Sequence, residues 1–174
     1  MIEGKMIKLA GRRAVYLLGI AAIGLSLTAA HPGPHDAPPT PTANPGAPID
    51  AATPVGTVMA FHAALASGDT DAALTHLAED VMIFESGGVE SSRAEYASHH
   101  LEADAAFSAA VPRTLVSRTD GMQGDMAWVL SVEKVAGTYR ERAINTRSVE
   151  TMMLRQVKGQ WRIVHIHWSS VENK

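Results

Sequence analysis

Eight histidines and no cysteine set the side-chain chemistry open to this chain. Without cysteine there is no thiolate nucleophile, no thiolate metal site, no disulfide framework and no lipobox cysteine to acylate. Imidazole, carboxylate and hydroxyl remain. Their densest grouping is Gln160–Ser170, reading Gln-Trp-Arg-Ile-Val-His-Ile-His-Trp-Ser-Ser. This stretch follows a Val157-Lys158-Gly159 turn signal and is rich in β-branched and aromatic residues, so it reads as a strand. Alternation places Trp161, Ile163, His165, His167 and Ser169 on one face, with Arg162, Val164, Ile166, Trp168 and Ser170 on the other. Two imidazoles projecting together can share a metal ion or pass a proton near neutral pH.

Further candidates lie upstream. Glu85 ends the apolar run Val81-Met-Ile-Phe-Glu85, just before Ser86-Gly87-Gly88. Tyr96 and His100 recur at helical spacing with Ala103 and Phe107, and His99 lies at the edge of that stripe between Glu95 and Glu102. Three arrangements follow. Tyr96, His99, His100, Glu85, His165 and His167 can line a pocket for a small organic molecule. Alternatively His100, His165 and His167 bind zinc or copper, with Glu85 completing the shell and a water in an open position. In the third, no cofactor is needed, and His165 and Glu85 act as an acid/base pair of the kind lyases and isomerases use. Phosphate binding is disfavoured, because Ser86-Gly87-Gly88 has no following lysine and no Rossmann layout. Nothing resembles a nucleophile elbow, since Ser169 and Ser170 sit in a strand without flanking glycines.

These residues need a scaffold, and the remaining pattern supplies one. Thr53-Pro54 starts a helix that stops at Ser67-Gly68, and Asp69 caps a second over Thr70–Ala78. Ser91 or Ser92 caps a third, running to about Ala110 before Pro112. Val81–Glu85, Arg113–Thr119, Met126–Gly137, Thr146–Val157 and Gln160–Ser170 read as strands, with Gly137 a place for a bend. The order predicts an α+β domain, three N-terminal helices packed on a curved, mainly antiparallel sheet. Val164, Ile166 and Trp168 would form an apolar strip on the face opposite the histidines, which predicts a homodimer.

The 174 residues suffice for one domain, over residues 54–171. Residues 1–30 read as a signal peptide: Lys5 to Arg13 is a basic n-region, Ala14–Leu27 an apolar h-region, and Thr28-Ala29-Ala30 the small-residue site. The apolar run is short for a full span, so membrane contact is expected only if this segment stays uncleaved as an anchor. Residues 31–53 read as a disordered linker; of the nine prolines, all but Pro112 lie between His31 and Pro54. A periplasmic or secreted location follows. The net charge is −3, and the basic signal makes the rest more acidic still, which argues against a nucleic-acid partner.

Phe61-His-Ala-Ala-Leu-Ala-Ser-Gly-Asp69, Val81–Glu85 and Trp161–His167 together resemble the nuclear transport factor 2-like superfamily, in its SnoaL-like branch, over about Pro54–Val171. The resemblance implies a cone-shaped α+β fold with a pocket between helices and concave sheet, often dimeric through the sheet. Members include isomerases, cyclases, dehydratases and binding or association domains, so fold leaves activity open. Within that superfamily, His165-Ile-His-Trp-Ser-Ser170 is similar to the His-His-His-Ser-Ser signature of iota-class carbonic anhydrases. Ile166 replaces the central histidine, and Trp168 is inserted before the serines. That similarity implies carbon dioxide hydration, with roles for His165, His167 and Ser169.

Overall fold

The computed structural model describes residues 49–173, so the expected signal peptide and most of the expected linker lie outside the described residues. Asp50 to Thr53 fold back on the first helix, α1 (Pro54–Ser67): the Thr57 hydroxyl donates to the Ala51 carbonyl at 3.0 Å. Gly56 permits this, because a Cβ there would lie 1.8 Å from the Asp50 carbonyl oxygen. The Thr53 hydroxyl caps the helix by accepting from the Gly56 N–H, with proline in the first turn. Gly68, at φ 74°, ends it in the left-handed conformation that glycine adopts without strain. Asp69 caps α2 (Thr70–Thr75).

The expected second helix is shorter than predicted because Leu77 and Ala78 belong to β1 (Leu77–Glu85). The hairpin turn at Ser86 and Gly87, both at positive φ, leads to β2 (Gly88–Glu90), a strand absent from the sequence reading. The expected third helix is two. Its first part, α3 (Arg93–His99), is capped by the Ser92 hydroxyl, and the chain breaks at His100 before α4 (Leu101–Ala110). The break shifts the helical phase, so Tyr96, Leu101 and Ala105 face the core while His100 and Ala103 are exposed.

Four long strands follow: β3 (Arg113–Gln123), β4 (Met126–Tyr139), β5 (Arg142–Val157) and β6 (Gln160–Glu172). They form one six-stranded sheet in the order β2-β1-β6-β5-β4-β3. Only β1 and β6 run parallel. The α+β class and the curved, mainly antiparallel sheet agree with the sequence. At Gly137 the β4–β5 register is unbroken, and that glycine admits Val111 and Pro112 against the strand. Register shifts sit in β3, where Val116 is the extra residue, and in β6, where Val164 is.

The β6 bulge corrects the expected faces. Leu154 pairs with Ile163 and Met153 with His165, so Val164 has no opposite residue and the alternation inverts there. Trp161 and Ile163 join Ile166 and Trp168 on the core side, where Ile166 is 0% and Trp168 7% exposed. His165 and His167 turn to the outer face. Val164, Ile166 and Trp168 are therefore no exposed strip, and a dimer cannot form through them. The helices cover the inner face with Val58, Phe61, Leu65 and Tyr96 over Met152, Leu154, Ile163 and Ile166.

Candidate functional site

On the helix-covered side the sheet places polar residues among apolar ones. Along β4 the inward positions are Val129, Ser131, Glu133 and Val135, and along β5 they are Ser148, Glu150, Met152 and Leu154. Glu150 is held on several sides. Its Oε2 accepts from the Trp168 indole N–H at 2.7 Å, lies 2.8 Å from His62 Nε2, and is 3.9 Å from Arg113 Nη1. Burial opposes its charge, but His62, the Trp168 donor and Arg113 outweigh that and hold its carboxyl below the ordinary range. Arg113 also donates to Glu133 Oε2 at 2.8 Å, while its buried Nε has no partner among the described residues.

Above this floor lies a cleft of two lobes. One, of about 160 Å³, is bounded by Ile83, Val89, Glu90, Tyr96 and His100. The other, of about 120 Å³, is bounded by Phe107, Arg113, Ser148, Trp168, Ser169 and Ser170. Glu85 and Ser86 line both. Strand β1 delivers Glu85 there by parity, because Val81, Ile83 and Glu85 share a face. Glu85 is exposed to solvent through the mouth, with its carboxyl half-buried. Burial and then the Asp104 carboxylate push it above the ordinary carboxylate range, while His100 and Arg113 pull the other way. Beside it the Tyr96 hydroxyl donates to Asp104 Oδ2 at 2.9 Å. Burial raises Asp104 as well, against the Tyr96 hydrogen bond and the cations, and burial with Asp104 pushes Tyr96 far up. Tyr96 therefore remains a hydroxyl donor at any physiological pH, next to two carboxyls that hold protons more readily than usual.

The residues expected from the sequence fall into three places. Glu85, Tyr96 and His100 meet at the first lobe. His99 lies beside it, Nδ1 3.5 Å from Glu90 Oε2, and His100 Nδ1 contacts Glu90 Oε1. His165 and His167 are on the far side of the sheet, so neither lines the cleft with Tyr96 and His100. The set His100, His165, His167 is not assembled, and Glu85 is not within reach of His165, because the bulge at Val164 puts the sheet between them. His165 Nδ1 lies 2.9 Å from the Met82 carbonyl oxygen, and its ring meets Phe84 edge-on. Ser169 is exposed at the rim of the second lobe.

His62, Glu90, Asp104, Arg113, Glu133 and Glu150 are site residues that the sequence does not single out. For Glu133 and Glu150 a signal existed, namely a carboxylate at an inward position of an alternating apolar strand. For Glu90 there was none, because β2 is only three residues long.

A family model for the SnoaL-like domain matches residues 56–172. Among solved structures, a candidate ketosteroid isomerase from Shewanella frigidimarina NCIMB 400 is 37% identical, with a TM-score of 0.66, over 70% of this chain and 97% of that one. A candidate dehydratase of the NTF2-like family from Streptomyces avermitilis is 21% identical, with a TM-score of 0.55, over 67% and 92%. A CaMKII hub from S. rosetta is 24% identical, with a TM-score of 0.55, over 73% and 99%. The last two similarities concern the fold. No curated protein matches the chain.

Proposed function

The chain belongs to the SnoaL-like domain family, and from that premise we propose that its cleft binds a compact organic molecule with Glu85 as the central contact. The observation that carries this reading is the position of Glu85, shared by both lobes and facing the Tyr96–Asp104 pair. Each lobe is smaller than the ~300 Å³ at which pockets for drug-sized ligands begin, so a ligand of one or two small rings suits it better than four fused rings. Arg113 Nε, which has no partner among the described residues, favours a ligand oxygen, while Ile83, Val89 and Phe107 favour an apolar body. Ligand-observed NMR with a panel of small cyclic ketones and aromatic carbonyl compounds tests this. Binding that Glu85→Ala and Tyr96→Phe both weaken supports it, and equal binding by wild type and both variants removes it.

A second reading adds chemistry. A carboxyl that burial raises above its ordinary range suits a general base that takes a proton and returns it, and when Asp104 is protonated and donates to the Tyr96 oxygen, the Tyr96 O–H is free to donate to an oxygen on which charge develops. The 37% identical protein described as a ketosteroid isomerase favours this class. Deuterium uptake next to the carbonyl of a bound ketone, absent in Glu85→Gln, distinguishes catalysis from binding alone.

We also propose export by the N-terminal segment, and self-association through the outer face of the sheet. That face carries exposed Met82, Leu130, Val149 and Val171, and an apolar surface of this kind meets a partner.

A further inference from the structure

A second cluster of ligand atoms stands at the end of β2, where Glu90, Glu95 and His99 each offer one donor atom within 4.8 Å of the others. Local structure brings them there. Glu95 and His99 are four residues apart on α3, so they share one helix face. Glu90 closes β2, and its pairing with Ile83 turns it inward beneath that face. The Glu90 side chain is only 7% exposed, and its Oε2 has no hydrogen-bond partner among the described residues. A buried carboxylate oxygen without a donor is costly to a fold. His99 Nδ1 stands 3.5 Å from it, beyond ordinary hydrogen-bond length.

That separation has a second meaning. Nitrogen and oxygen ligands lie about 2.1 Å from a tetrahedral zinc ion, which puts two of them about 3.4 Å apart. We propose that Glu90, Glu95 and His99 bind a divalent cation, zinc or a metal of like preference for imidazole and carboxylate. The ion gives Glu90 Oε2 the partner it lacks. His100 holds the other oxygen of Glu90, and the Ser91 N–H donates to Glu95 Oε2 at 2.7 Å. Both carboxylates are thus oriented by a neighbour, as metal-binding carboxylates generally are. The ion would tie the short strand β2 to both ends of α3; it shares Glu90 with the wall of the first lobe but uses neither Glu85 nor Tyr96, so this site stands whether or not the cleft binds a carbonyl compound.

The test uses the full chain without an affinity tag, stripped with chelator and titrated calorimetrically with zinc and with manganese. Wild type should bind zinc more tightly than manganese. His99→Ala, an exposed change, and Glu95→Gln, which preserves an acceptor for the Ser91 N–H, should each weaken zinc at least tenfold. The double variant His165→Ala/His167→Ala should bind as wild type does. Zinc should also raise the thermal transition of wild type and leave that of His99→Ala unchanged. Absence of zinc binding in wild type overturns the site, as does equal affinity in His99→Ala or a loss confined to the His165/His167 variant.

Discussion

At the scale of single residues, the carboxylates of the inner face differ in what protonation does to the fold. Glu150 is held below its ordinary range. Its contribution is therefore present above the unfolded carboxylate value and lost as pH falls through the folded one. Glu150→Gln should cost about 3–5 kcal/mol at pH 7, the scale of breaking a buried, paired charge, and should flatten the acid limb of a stability–pH curve from chemical denaturation. Glu85 has the opposite sign. Raised by burial and Asp104, it costs nothing below the unfolded value, where both states are protonated, and destabilises the fold as pH rises above it. Glu85→Gln should accordingly raise the melting temperature at pH 7 and leave it unchanged at pH 4. A variant less stable than wild type at pH 7 would show that the charged form is favoured in the folded protein.

At the scale of elements, the bulge in β6 decides which side chains meet. Removing Val164 would make Ile163 and His165 adjacent, so simple alternation would keep His165 and His167 outward and Ile166 and Trp168 inward, whereas an alanine inserted between Ile166 and His167 would drive His167 into the core and Trp168 out of it. The insertion should abolish the cooperative thermal transition seen by circular dichroism, whereas the Val164 deletion should retain it. The caps make gentler tests: Ser92→Ala should cost about 1 kcal/mol through α3, measured by urea unfolding. The helix starts at Thr53, Asp69 and Ser92 were legible because capping side chains act on neighbours a few residues away. So were the turns at Lys158-Gly159 and Ser86-Gly87. The bulge was not, since the residue that breaks alternation, Val164, is as good a strand residue as its neighbours. The break at His100 was equally silent, because nothing in His99-His100-Leu101 forbids a continuous helix. Those two missed features moved His165, His167 and His100, which is why the fold was readable and the histidine constellation was not.

At the scale of the molecule, the outer face of the sheet is the surface that the described helices leave uncovered. Rows across it run Trp128, Met153, His165, Met82 and Leu130, Thr151, His167, Phe84. Val149, in the next row, is 47% exposed, so Val149→Asp should leave the monomer folded. Sedimentation velocity should then show a dimer for wild type and a monomer for the variant; a wild type that stays monomeric at high concentration removes the interface. The pairing of β1 with β6 bears on another matter, the order in which this protein can be made. Strand β6 is the last of the strands to be synthesised, yet it lies inside the sheet, flanked by β1 and β5. Until it emerges, β1 and β2 have no sheet to join, and the helices have no floor of Trp161, Ile163, Ile166 and Trp168 to cover. Contacts so distant in sequence slow folding. A growing chain therefore carries its helices and the first five strands unfinished and accessible to chaperones until the final hairpin closes the domain in one step.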